Sequence, residues 1–249
     1  MEEKPTLNFM WHLVWDYRVD LLKGLWTAVS VSITSLILSL ILGLIFALFK
    51  MSKYSILRTI SGVYVNIFRG IPALVSVIWV YFGWSLLFGQ NFTVYQAGVI
   101  ALTLLYSAFF SEIFRSALSA IHKGQREAGL ALGMGRIRIF ISIVMPQALK
   151  IAIPNIGSMY IGMIKDTSTF TVIGLAEVVR VTQTINSQYF QPFVLYTAAA
   201  GLYVAIAFLV DYLFRIFEGN FSFPNQGKIT KFLSKKKHAQ VRELIIKNS

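Results

Sequence analysis

The chain of 249 residues is 56% hydrophobic and only 14% charged, with a mean hydropathy of +0.64, whereas soluble domains contain about 45–50% apolar and about 25% charged residues. This composition argues against a water-soluble globule and excludes an intrinsically disordered chain, and the absence of cysteine excludes a disulfide scaffold. The 23 Lys and Arg residues against 11 Asp and Glu residues give a net charge of +12, which raises the question of nucleic-acid binding. The positions of the charges answer it.

Long stretches without charged residues predict five membrane-spanning helices. The first lies between Lys23 and Lys50, where no charged residue occurs, and about 20 apolar residues suffice to cross a hydrocarbon core about 30 Å thick. The other four spans are predicted over residues 54–88, 95–121, 146–165 and 197–217. Gly70 and Pro72 can break the second of these. We therefore predict an all-α integral membrane protein with five transmembrane helices.

Most of the 23 Lys and Arg residues fall on one side of these spans. Because positively charged loops stay in the cytoplasm, we expect an extracytoplasmic N-terminal segment over residues 1–23 and a transmembrane domain over 24–218 with a cytoplasmic loop at 122–150. A basic cytoplasmic tail follows over 219–249. Lysines next to a membrane span meet anionic lipid or solvent, so we expect membrane lipid and no nucleic acid as a partner.

The long cytoplasmic loop contains a short helical stretch. Glu127 lies near its amino end and Arg136 and Arg138 near its other end, an order that suits the helix dipole. Leu130 and Met134, four residues apart, share one face. Small residues that would let another backbone approach closely are Ala128, Gly129, Ala131 and Gly133. The pattern fits either a docking helix or an amphipathic helix on the inner membrane surface.

The same loop resembles a known family. Bacterial ABC-importer permeases carry a cytoplasmic signature of EAA, three residues, G, nine residues, I, one residue and LP, and the chain matches it at Glu127-Ala128-Gly129, Gly133, Ile143 and Met145-Pro146. Gly129 stands for the third Ala and Met145 for Leu, and both changes are mild in size. The resemblance covers about residues 24–218 and is closest in kind to the branch that imports polar amino acids, such as the histidine and glutamine permeases. Its segments are TAVSVSITS, YVNIFRGIP, SEIFRSALSAIHKGQREAG, MPQALKIAIPN and IGMIKDTSTFTVIGLAEVVR.

This resemblance implies the type I ABC-importer permease fold in a bacterial cell membrane, with the N-terminus outside and the C-terminus cytoplasmic. It also implies a second permease subunit, identical or related, two ATPase subunits and an extracytoplasmic solute-binding protein. In this family the loop helix docks into the ATPase. The docking residues carried over to this chain are Arg126, Glu127, Ala128, Gly129, Leu130, Gly133 and Met134.

The chain lacks the motifs of an enzyme. Its Gly227-Lys228 pair is followed by Ile229, so no phosphate-binding loop of the form GxxxxGK[ST] is present. It has no HExxH or GxSxG motif either. We expect no cofactor and no metal in this chain, with ATP and Mg bound by the partner ATPase. One alternative is a stand-alone secondary carrier or channel, which needs no docking loop. Another is a non-transporting scaffold or sensor, which would leave the cluster at Lys165 and Asp166 without a role.

Charged residues inside predicted spans are costly and therefore mark candidate sites. Arg69 and Glu112 both lie toward the inner leaflet and have opposite sign. They predict an ion pair, with Arg115 one turn beyond Glu112. The pair could clamp two helices or could belong to the substrate path or inner gate.

A second cluster, Lys165-Asp166-Thr167-Ser168, ends the fourth predicted span. A zwitterionic amino acid offers a carboxylate to Lys165 and an ammonium group to Asp166, with hydroxyls nearby for further hydrogen bonds. The alternative is a charge pair that caps the helix end. Residues 169–192 then predict a short helix on the outer surface with Val172, Ala176 and Val179 on one stripe.

Overall fold

The computed structural model describes residues 8–221, and every regular element among them is helical. The α-helices are α1 (His12–Asp16), α2 (Arg18–Lys50), α3 (Ser55–Gly70), α4 (Ala73–Ile78), α5 (Trp84–Phe88), α6 (Val94–Ser119), α7 (Lys123–Ala131), α8 (Arg136–Ile139), α9 (Met145–Asp166), α10 (Val178–Tyr189) and α11 (Pro192–Phe221). Short π-helical turns join α4 to α5 and α8 to α9, and a 3₁₀ helix, Thr167–Ile173, extends α9. The predicted basic tail lies outside the described residues from residue 222 onward.

Four helical stretches of the described chain are long and apolar enough to cross a membrane: Arg18–Lys50, Val94–Ser119, Arg136–Ile173 and Pro192–Gly219. The remaining predicted span is broken into Ser55–Gly70 and Ala73–Phe88, which are bent by 107°. The break has the expected cause, because Pro72 cannot donate to the preceding turn and holds Ile71 extended, at φ −95° and ψ 129°. The count reaches five if the bent pair forms one span.

Helix α6 is the centre of the bundle. In its most apolar window 67% of the residues are buried, against 33% for α2 and 22% for α11. It packs closely against α2, since a Cβ added at Gly43 would lie 2.8 Å from the Cβ of Phe110. Within a membrane the hydrophobic effect does not drive helices together, and small residues allow the close backbone approach on which their packing depends.

The cytoplasmic loop departs from the single helix that the charge pattern predicts. Helix α7 ends at Ala131, and Gly133 takes a left-handed conformation with φ +74°. The amide of Gly133 donates to the Leu130 carbonyl at 2.9 Å and the amide of Met134 to the Gly129 carbonyl at 3.0 Å, which is the Schellman pattern of helix termination. Arg136 therefore begins a separate helix, so the prediction that Leu130 and Met134 share one helical face was wrong.

The outer segment also differs from its prediction of one helix. Val172 belongs to the 3₁₀ helix, a left-handed Gly174 with φ +85° follows, and α10 begins only at Val178. The expected stripe of Val172, Ala176 and Val179 is therefore split between two elements. The buried side of α10 is formed instead by Val178, Thr182 and Ile185.

Candidate functional site

The predicted docking residues lie on and around α7. His122 caps the helix, its Nδ1 accepting a hydrogen bond from the Gly124 amide at 3.1 Å. Four of the docking residues are exposed on α7: Arg126, Glu127, Ala128 and Leu130. They form the exposed surface of α7, and two of them, Arg126 and Leu130, also line a cavity of about 390 Å³ against α2, α6 and α8.

The other three predicted docking residues have inward or conformational roles. Gly129 is buried, and a Cβ added there would lie 2.8 Å from Cγ1 of Ile139. Met134 is half-buried and packs against the main hydrophobic core. Gly133 supplies the left-handed turn described above. These residues thus set the position of α7 against α8 rather than extend its exposed surface.

The predicted ion pair between Arg69 and Glu112 is wrong. Glu112 is bound instead by Lys50, at the end of α2, through its Oε1, and by Arg115, whose Nη2 lies 2.8 Å from Oε2. Arg115 was predicted next to Glu112, whereas Lys50 was predicted only to end the first span. Helix α2 runs alongside α6 and brings Lys50 to Glu112, so the carboxylate joins these two helices.

Arg69 ends α3 just before the bend of the broken pair. Its guanidinium carbon lies 5.5 Å from the centre of the Phe109 ring, a cation–π distance. Among residues 8–221, Arg69 has no carboxylate within 4.0 Å.

The Lys165-Asp166 cluster does not form a single site in this structure. Lys165 is exposed and lines, with Ser168, a cavity of about 310 Å³ between the end of α9, α10 and α11. Asp166 is directed to α6, where its Oδ2 accepts a hydrogen bond from the Tyr106 hydroxyl at 2.9 Å. No ion pair joins Lys165 and Asp166 in the described part of the chain.

The hydroxyls of the cluster donate along the backbone. Thr167 is fully buried, and its hydroxyl donates to the Ile164 carbonyl at 2.7 Å. Ser168 donates to the Lys165 carbonyl at 2.6 Å. Each hydroxyl uses its proton in this way, so each retains only acceptor capacity for a ligand.

Sequence reasoning missed the most deeply buried carboxylate, Glu177. Its side chain is 0% exposed and accepts from the backbone amides of Val179 at 2.7 Å and Arg180 at 2.8 Å. The Tyr203 hydroxyl of α11 donates a third hydrogen bond, at 2.8 Å. Burial raises the pKa of Glu177, and these three hydrogen bonds oppose the rise. Its position directly before a helix was the available signal, because an acceptor there caps free amides.

An all-helical bundle with helices of membrane length, one broken helix pair and the exposed short helix α7 is the architecture of an integral membrane protein. The chain belongs to the family described as binding-protein-dependent transport system inner membrane component, which matches residues 39–222.

Two relatives and one solved structure match most of this chain. The probable amino-acid permease protein YxeN of Bacillus subtilis (strain 168) is 32% identical over 84% of this chain and 96% of its own length. The glutamine transport system permease protein GlnP of Escherichia coli (strain K12) is 32% identical over 85% of this chain and 97% of its own length. A solved structure, the crystal structure of an amino acid ABC transporter with histidines, superimposes with a TM-score of 0.77 at 30% identity, covering 86% of this chain and 99% of that one. The protein is a permease component of an amino-acid ABC importer.

Proposed function

We propose that this chain forms the membrane path for a polar amino acid or related solute, which an extracytoplasmic binding protein delivers and a separate ATPase drives across. The observation that carries the proposal is α7, a short helix closed by the Gly133 turn, which presents Arg126 and Glu127 outside the packed bundle. A stand-alone carrier or channel, the second candidate, has no use for such a helix.

The docking step is assigned to the exposed side of α7. Arg126, Glu127, Ala128 and Leu130 would contact the ATPase. Gly129, Gly133 and Met134 would hold the helix at a fixed distance from α8. One ATPase subunit for each of two permease subunits would bind the ATP and Mg, and this chain would hold no cofactor.

The path is assigned to the two polar sites at the end of α9. Asp166 and Tyr106 suit the ammonium group of a solute, because a carboxylate and a phenol oxygen both accept hydrogen bonds. Lys165 suits the solute carboxylate, whereas the hydroxyls of Thr167 and Ser168, whose protons bond the backbone, can only accept hydrogen bonds. Since Lys165 and Asp166 are directed to different neighbours, we propose that a solute meets them in succession.

The charged groups nearer the opposite ends of the spans receive different roles. Glu112, held by Lys50 and Arg115, would act as a clamp between α2 and α6. Arg69 borders the bend of the broken helix pair, and broken helices in transporters line cavities. We therefore assign Arg69 to the inner gate.

The membrane setting completes the proposal. We place the protein in the bacterial plasma or inner membrane with its N-terminus outside and its C-terminus in the cytoplasm. The second permease subunit, identical or related, would cover exposed apolar residues of the bent pair such as Leu86 and Leu87, which are 87% and 68% exposed. The binding protein would meet the outer side, which carries α10.

A pair of charge reversals tests the docking role. Glu127→Lys should lower both copurification with the ATPase and amino-acid uptake by about tenfold, which corresponds to 1.4 kcal/mol. Asp20→Lys is the matched control, because Asp20 is exposed at the far end of the bundle and, among residues 8–221, forms an ion pair with Lys23 alone, at 3.7 Å. Normal ATPase copurification and full transport by Glu127→Lys would show that α7 is not the docking element.

A further inference from the structure

Burying the Glu177 carboxylate costs more free energy than a helix cap at the surface would. A cap needs only an acceptor for the first free amides, and Ser, Thr, Asp and Asn supply one at the surface. Glu177 is instead 0% exposed, and burying a carboxylate is unfavourable unless it is well hydrogen-bonded. The bond from Tyr203, on another helix and 26 residues away, is one that capping does not require.

The direction of this hydrogen bond determines what Tyr203 offers to its surroundings. Glu177 accepts at both oxygens, at Oε1 from the Arg180 amide and at Oε2 from the Val179 amide and the phenol. This is the pattern of an ionised carboxylate. A phenol has one proton with which to donate a hydrogen bond. Tyr203 donates this hydrogen bond to Glu177, so the Tyr203 oxygen has only acceptor capacity left.

Tyr203 is also part of the wall of the cavity that contains Lys165 and Ser168. The side chain of Thr167 is a further polar neighbour of its hydroxyl. The cavity of about 310 Å³ is therefore lined both by a cation, Lys165, and by Tyr203, a tyrosine whose oxygen can only accept. These are complementary to the carboxylate and the ammonium group of one zwitterionic amino acid.

Glu177 is rigidly held. Helix α2 packs directly on its backbone, since a Cβ added at Gly24 would lie 3.0 Å from the Glu177 carbonyl carbon and 2.9 Å from the Val178 nitrogen. The carboxylate is thus fixed between the outer helix α10 and the cavity wall formed by α11.

We propose that Glu177 is a positioning residue of the translocation path, whose carboxylate accepts the hydrogen bond of the Tyr203 hydroxyl so that the phenol presents an acceptor to the ammonium group of the solute while Lys165 binds its carboxylate. This inference rests on the proposed function, because it assumes that the cavity lies on the path of an amino acid.

The test uses the permease reconstituted into vesicles with its ATPase and binding protein. Radiolabelled proteinogenic L-amino acids are supplied one at a time, and the ratio of solute transported to ATP hydrolysed is measured. In Glu177→Gln the amide would donate to Tyr203 and turn the phenol proton toward the cavity. We expect this variant to lower the ratio by about tenfold, the size of effect that follows from losing a charge-assisted hydrogen bond.

The double variant separates positioning from capping. If Glu177 acts through Tyr203, then Glu177→Gln lowers the ratio no further in a Tyr203→Phe background. Tyr196→Phe is the matched control, because Tyr196 lines the same cavity without a bond to Glu177, and there Glu177→Gln should keep its full effect. An equal effect of Glu177→Gln in the Tyr203→Phe and wild-type backgrounds, or a wild-type ratio in Glu177→Gln, would overturn the inference.

Glu177→Asp gives an independent reading if the Gln variant folds poorly. Asp is a favoured cap, but its shorter side chain cannot keep both amides and Tyr203. The inference predicts a lowered transport ratio for Glu177→Asp even though the variant keeps a cooperative thermal unfolding transition, whereas a wild-type ratio would overturn it. If wild-type vesicles transport none of the amino acids under ATP, the proposed function itself fails, which is a different result from failure of the variants alone.

Discussion

The packing of α7 on α8 depends on the absence of a side chain at Gly129. A Cβ there would lie 2.8 Å from Cγ1 and 3.0 Å from Cδ1 of Ile139, and 3.3 Å from Cδ1 of Ile143. Real Cβ contacts are not that short, so Gly129→Ala must displace α7 or Ile139. Overpacking of this kind costs about 1–3 kcal/mol, which is offset in part because alanine favours the helix by up to about 1 kcal/mol.

We expect Gly129→Ala to loosen α7 locally rather than unfold the bundle. Amide hydrogen exchange in α7 should accelerate by about fivefold to tenfold, which corresponds to a net loss of about 1–1.4 kcal/mol. Copurification with the ATPase should fall with it. Ala128→Ser is the matched control, because Ala128 is the exposed neighbour on the same helix and its change should be nearly neutral.

A second substitution tests the contact itself. Ile139→Val removes Cδ1, one of the two atoms of Ile139 that a Cβ would meet, so it should restore part of the α7 protection lost in Gly129→Ala. Wild-type exchange and wild-type ATPase binding in Gly129→Ala would refute the reasoning. Equal losses in the Gly129→Ala and Ala128→Ser variants would refute it as well.

Three further predictions concern charged side chains and close contacts between helices. Glu112→Gln should lower the free energy of unfolding by about 1–3 kcal/mol, because it leaves two basic side chains without their carboxylate. Arg69→Gln should lower it by only about 0.5–1 kcal/mol, the energy of a cation–π contact. A thermal melt in detergent that ranks the two variants the other way would contradict the observed pairing. Gly43→Leu should destabilise the bundle by more than about 1 kcal/mol, since the new side chain would enter the contact with Phe110, and melting at the wild-type temperature would count against this packing. The raised pKa of Glu177 means that its carboxyl group binds a proton more tightly in the folded protein than in the unfolded chain. The resulting contribution to the free energy of unfolding is fully present below the ordinary pKa of 4.5. It is lost as the pH rises through the folded-state pKa. The stability of the wild type relative to Glu177→Gln should therefore fall as the pH is raised above the ordinary pKa of 4.5, and a rise would contradict the assignment.

Hydropathy predicted the helices well because the cost of burying charge in lipid acts on each segment separately. The run from Lys23 to Lys50 and the break at Pro72 are both local properties of the chain, and both are found in the structure. Termination of α7 at Gly133 was also accessible locally, since glycine is the residue that most readily takes the left-handed conformation.

The pairing of side chains on different helices could not be predicted from local sequence in this way. Glu112 is partnered by Lys50 because α2 and α6 lie side by side, and a one-dimensional estimate of depth does not say which helices are neighbours. For the same reason Lys165 and Asp166, adjacent in sequence, are directed to different helices. Glu177 was missed because its burial depends on α2 and α11 covering the start of α10.

ATP-driven uptake in sealed vesicles tests the central claim most directly. Vesicles that contain this permease, its ATPase and the loaded binding protein should accumulate an amino acid only when ATP reaches the ATPase side. Glu127→Lys should lower that accumulation by about tenfold, while Asp20→Lys retains it. Uptake driven by an ion gradient through the permease alone, without ATP or ATPase, would contradict the account and identify a self-sufficient carrier.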